Sequence, residues 1–396
     1  MKKGNKMDVK KLEKERIGLF REANLFHEVE RIPHASLYQQ WRVFDAGYKL
    51  SEALNDYDVM EKVIRHHLET YNFDLLVDVG GRNPYKVYKA IRSRAYEIND
   101  EAGTMNHHDL PYGRPEEMDE IRKDFWRYLW EKGMPRLYPY FAEEFDIDII
   151  QNALDARDEH NAFFGRIMGI IKNEYGIPSS VAPNPFAPMS IEALFGYPLG
   201  IKGMSLAMRR YTSQFEALLE KFNEMFFYPV LEKEKEMLPG KDENACYDGG
   251  FTFLCQTVLN RKQWDEYYWK YLKQNFDIYD EKDKSIYAFV EGEVLRFRDC
   301  FQDYKKGTLN FMLENDDIYE FRKAVPNALL MGGMPNSILN DGTKEECIEK
   351  AKEVIDTLDG FGGGLVLSQT KIGAFKNDGK YENLKAVCDF VAEYKG

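Results

Sequence analysis

Leu309-Asn-Phe-Met-Leu313, Ala328-Leu-Leu-Met331 and Leu365-Val-Leu367 are short apolar runs, and a helix-length segment, 344–358, precedes the last of them. Two more such runs lie upstream, near 246–254 and 286–290, with helix-length segments at 261–276 and 319–324. Strand, loop, helix and strand at this spacing predict repeated βα units closing a parallel (β/α)8 barrel. The N-terminal half carries the same signal in weaker form. A helical pattern over 59–71 feeds the apolar run 73–79, which ends in Gly80-Gly81, the αβ-loop pattern of a parallel sheet. Residues 8–31 read as an opening helix and 32–38 as a short strand. The stretch 82–135 is irregular, with Asn106-His107-His108-Asp109 in a loop and 116–132 helical. It is expected as an insertion near the barrel mouth within one domain, 1–396.

The 396 residues carry 54 Lys and Arg against 67 Asp and Glu, a net charge of −13. That balance argues against nucleic acid, whose phosphates demand clustered cations. No apolar stretch approaches the roughly 20 residues of a membrane span, and the basic start lacks the apolar core of a signal peptide. Five cysteines without CxxC spacing read as free thiols in a reducing, cytoplasmic setting.

In such a barrel the reactive groups follow the strand C-termini. Asp78, Asp248, Glu291, Glu314, Asn336 and Ser368 fall there. A carboxylate ending an apolar run is costly unless it meets a polar cavity or a partner. The competing reading is helix capping, which Asn336 would do well. Asp248, Glu291, Glu314, Asn336 and Ser368 are expected around a common mouth. The pair His107-His108 offers an acid–base or metal-binding group, expected to fold over that mouth. The glycines at 360–364 precede a strand and so lack the context of a phosphate loop. Abundant aromatics (25 Tyr, 26 Phe) suit either core packing or a pocket for an aryl substrate.

The order of residues in the last third resembles the uroporphyrinogen decarboxylase superfamily. The residues that carry the likeness are 331–339 (MGGMPNSIL), Gly342-Thr343 with Glu345-Glu346, Gly362 to Ser368, and Glu382-Asn383. Residues 289–293 (FVEGE) and 313–317 (LENDD) resemble its corrinoid-dependent methyltransferase branch; His34, after Glu30-Arg31, and Trp41 fit more loosely. The resemblance implies a (β/α)8 barrel with an open pocket, and His34, Trp41, Asp78, Glu314, Asn336 and Ser368 as substrate-binding candidates.

Departures from the pattern narrow the activity. True decarboxylases of the superfamily hold an octa-anionic porphyrinogen with an arginine-rich stretch, where this chain has Arg42 alone. Thiol-activating methyltransferases carry a zinc His-x-Cys and a later Cys. Here Ala288 to Glu291 and Leu367 to Thr370 replace them, which leaves zinc open, with Glu291 as an oxygen ligand or a general acid. The implied function is methyl transfer from an oxygen or nitrogen donor, expected as an aromatic O-methyl compound, to a corrinoid on a partner protein. This is O-demethylation of the kind met in anaerobic metabolism. Glu291, His107, His108 and Asp248 are the candidates for assisting the leaving group. A corrinoid-independent decarboxylase or lyase of a small carboxylate and a ligand-binding barrel without activity stay as alternatives. So does a homodimer.

Overall fold

The computed structural model of the protein describes residues 8–78 and 83–395; Gly80 and Gly81 lie outside that set. Strand β1 (Ala35–Ser36) pairs in parallel with β2 (Leu75–Leu76). An antiparallel hairpin follows, β3 (Tyr96–Asn99) with β4 (Thr104–His107), so the expected loop around His107 is partly strand. Parallel β5 (Ser179–Val181) and β6 (Ala245–Tyr247) come next. The last third forms one five-stranded parallel sheet of β7 (Gly249–Phe253), β8 (Ile286–Val290), β9 (Leu309–Leu313), β10 (Leu329–Met334) and β11 (Leu365–Gln369), hydrogen-bonded in chain order.

Isolated parallel bridges from His34 to Leu367 and from Tyr38 to Gly373 set the β1 segment against β11. Between β2 and β5 no ladder is made among the described residues. The fold is therefore mixed α/β around a parallel sheet, and among the described residues the expected ring of eight is not closed by continuous hydrogen bonding.

The period-2 pattern explains how the sheet buries both faces. Tyr287 and Phe289 join Met312, Leu329, Met331 and Val366 in one core. Their neighbours Ile286, Ala288 and Val290 pack with Phe311, Leu313 and the flanking helices in another. Strands covered on both sides read as continuous apolar runs, which is why the last third was legible. The opening helix, Val9–Asn24, closes the end where the strands begin. Phe20 and Ala23 enter the inner core, Arg21 donates to the Ala245 carbonyl at 3.2 Å, and Asn24 donates to that of Gly307 at 2.8 Å.

One sequence expectation is revised. The segment 116–132 is not one helix but short pieces, Met118–Lys123 and Phe125–Tyr128 among them, with a π-turn at Leu129–Gly133. Asp124 accepts the Arg127 N–H and restarts the helix. Further on, three helices follow one another, Gly200–Arg210, Thr212–Phe222 and Tyr228–Lys235, the last two joined by a π-turn.

Candidate active site

A cavity of about 860 Å³ lies against the strand ends on one side of the sheet. Val77 follows β2, Val181 ends β5, and Gly250, Thr252 and Leu254 come from β7 and its exit. Tyr287 contributes from β8. The opposite wall is the insertion: Tyr88, Tyr96, His107, His108 and Tyr138. Tyr88 and Tyr96 stack at 4.4 Å, and the His107 ring lies 4.9 Å from Tyr96. Phe186 and Phe251, stacked at 5.6 Å, form a third side. The hairpin thus brings both candidate histidines to the same space as the strand ends. His108 Nε2 sits 3.5 Å from Glu97 Oε2, on the exposed rim.

Glu192 is the acidic residue on this cavity wall, and sequence reasoning did not single it out. It sits in the first turn of the helix Ser190–Gly196, directly after the proline-rich stretch. Its carboxylate accepts the N–H groups of Leu254 (3.0 Å) and Cys255 (3.0 and 3.2 Å) and the Tyr268 hydroxyl (2.5 Å). Burial outweighs these donors and raises its pKa. A carboxyl held rigidly, desolvated and in a cavity is equipped to keep a proton and deliver it. A glutamate after a proline-rich turn carried no sequence signal for this; the contacts that make it special come from residues more than 60 positions away.

The other anticipated residues do not gather here. Asp248 lies elsewhere: it breaks β6 from β7 at the level where β8 begins, away from the C-terminal ends of β7 and β8. There it accepts Ser285 N (2.8 Å), Ser285 Oγ (2.9 Å) and Asp242 N (2.5 Å), with Lys284 Nζ at 4.0 Å. Those partners make it a structural clamp. Asp248→Ala should lower stability by about 1–3 kcal/mol, the usual cost of leaving buried donors unpaired. Denaturant titration checks this, with turnover per folded molecule expected unchanged.

His34 is buried against Phe73 at 4.6 Å, and loss of water drops its pKa to about 4, so it is neutral. Trp41 donates Nε1–H to the Gly379 carbonyl at 2.9 Å and packs on Tyr38. Asp78, just past β2, accepts from Gln39 Nε2 at 2.6 Å. Ser368 is buried in β11 and donates to the Gln369 carbonyl, and Asn336 is buried at the start of the helix after β10. Glu291 and Glu314 follow β8 and β9; Glu314 accepts the Gly292 N–H at 2.7 Å. Partial desolvation, and next the charge of Glu314, raises the pKa of Glu291, but neither residue is on the cavity wall. Among the described residues no three His, Cys, Asp or Glu side chains converge as a metal-ligand set.

No protein-family model matches the chain, and no curated protein matches it. Among solved structures it is similar to a methyltransferase from Methanosarcina mazei, with 13% identity, 96% of this chain and 98% of that chain covered, and a TM-score of 0.55. At that identity the likeness speaks for the fold, and it extends over nearly the full length of both chains. No helix among the described residues is long and apolar enough to cross a membrane.

Proposed function

We propose that the protein is a methyltransferase of the (β/α)8 class, moving a methyl group from a small aromatic O-methyl donor in the cavity to a corrinoid on a partner protein. The observation that carries this is the cavity itself, aromatic on two sides and holding a desolvated carboxyl, Glu192. Aromatic walls suit an aryl ring by stacking and edge contacts. When the methyl–oxygen bond breaks, the pair stays on the ether oxygen, and an alkoxide or phenoxide leaves poorly without a proton. Glu192 is placed to provide that proton, with His107 and His108 at the rim to restore it from solvent.

The corrinoid would provide the nucleophile for the methyl group. A carrier protein asks of this chain only an open approach, and Tyr197, on the cavity wall and 68% exposed, leaves one. Among the described residues no three His, Cys, Asp or Glu side chains converge on a zinc site, and no step is routed through zinc. The decarboxylase alternative finds less support, because no described Lys or Arg lines the cavity to meet a substrate carboxylate.

The test is methyl transfer to a Co(I) corrinoid protein from a panel of methoxylated aromatics and methylamines, followed by the absorbance change of the corrinoid. Transfer from at least one methoxyarene is expected. Consumption of a small carboxylate without any corrinoid protein, and no transfer from the panel, would replace this reading with the lyase.

A further inference from the structure

Behind the third side of the cavity, the chain from 185 to 187 is tied down from two helices. The Tyr279 hydroxyl donates to the Pro185 carbonyl at 2.8 Å, and Asn275 Nδ2 donates to that of Ala187 at 3.0 Å. Both come from the helix Lys270–Glu281. Gly249 allows the Tyr279 ring to approach, since a Cβ there would lie 2.5 Å from it. The third tie is Glu234, on the helix Tyr228–Lys235, whose Oε1 accepts the Ala187 N–H. Glu234 has no solvent exposure, and its Oε2 has no partner. Ala187 is flanked by Phe186, Pro188 and Met189, all on the cavity wall, and Met189 leads directly into the helix that carries Glu192.

We infer that Glu234 is a positioning residue whose neutral carboxyl pins the 186–189 wall of the cavity, and whose ionisation releases it. A buried carboxylate with one N–H donor and a bare second oxygen is far from satisfied, so a charge formed there must draw in water or swing outward. Either movement breaks the tie to Ala187. Burial pushes the Glu234 pKa up to about 8, the Ala187 N–H acting against it. The titratable group facing it from the neighbouring helix is Tyr279, itself held protonated chiefly by burial; Asn275 on that helix is uncharged. The stability gained from keeping Glu234 neutral is therefore complete below the ordinary carboxylate range. It is lost as pH rises through about 8. The inference concerns the wall and holds whatever the methyl donor is.

Hydrogen exchange of the full chain, read on a peptide covering 182–196 and corrected for the intrinsic rate at each pH, tests it. In the wild type, protection of that peptide should fall as pH rises from the ordinary carboxylate range, by up to about tenfold per pH unit, and level off above about 8, where the acid is ionised in both states. Glu234→Gln keeps the acceptor for Ala187 and removes the charge, so its protection should stay flat. The Kd of 1,2-dimethoxybenzene should weaken over the same range in the wild type alone. Parallel pH profiles for wild type and Glu234→Gln would overturn the inference. Should the variant not fold, the wild type decides against the 309–313 strand: a loss confined to 182–196 supports the pin, and a loss shared with that strand overturns it.

Discussion

Replacing Glu192 by glutamine lowers methyl-transfer turnover by about two to four orders of magnitude, the range usual for a lost acid. Glutamine preserves the size of the side chain and can still accept the Leu254 and Cys255 N–H groups through its carbonyl oxygen. It cannot give up a proton. The loss should fall on kcat for donors with poor leaving groups and shrink for an activated methyl ether bearing electron-withdrawing substituents, whose oxygen departs without help. Glu291→Gln is the matched comparison. Glu291 also has a raised pKa, yet it lies outside the cavity wall, so its replacement should cost less than about tenfold on the same scale. Equal losses in the two variants, or near-wild-type turnover for Glu192→Gln, would remove Glu192 from the role.

The contrast between these glutamates marks what the sequence could disclose. Glu291 ends an apolar run and is followed by a glycine, a local pattern that any reader of strands will notice. Strands β8 to β11 were legible for a similar reason: they are buried on both faces, so their residues are mostly apolar, with few polar breaks such as Asn310. Strands β1, β2 and β5 are only two or three residues long, too short for any periodicity to register. Glu192 acquires its character wholly through tertiary contacts, a backbone turn at 254–255 and a tyrosine at 268, which no spacing rule links to it. Asp248 misled in the opposite direction. It sits within an apolar stretch, as a site residue would, but that stretch contains two ladders with different partners, and Asp248 occupies the break between them. The histidine pair was found because its loop lay in a conspicuous insertion, although the hairpin that carries it to the cavity was not foreseen.

The largest stability effect is expected at Asp74→Ala. Asp74 is 3% exposed and lies just ahead of β2, where three parts of the chain meet. Arg31 grips it with two hydrogen bonds, at 2.6 and 2.8 Å. Arg16, from the opening helix, reaches it at 3.3 Å, and the His34 N–H at the entry to β1 donates to it at 3.1 Å. One carboxylate therefore joins the opening helix, the following loop and the first two strands. Removing it leaves the Arg16 guanidinium largely buried without its counter-ion; burial already holds the Arg16 pKa below its ordinary value against the pull of Asp74. Breaking a buried pair by deleting one partner typically costs about 3–5 kcal/mol, more than the pair itself contributes, because the orphaned charge remains. Urea unfolding should show that loss as a lower midpoint. If the uncompensated cation causes it, Asp74→Ala combined with Arg16→Met should recover part of the loss, since the second change removes the charge and keeps apolar bulk. A double variant as unstable as the sum of its parts would instead place the cost in the hydrogen bonds to Arg31 and His34.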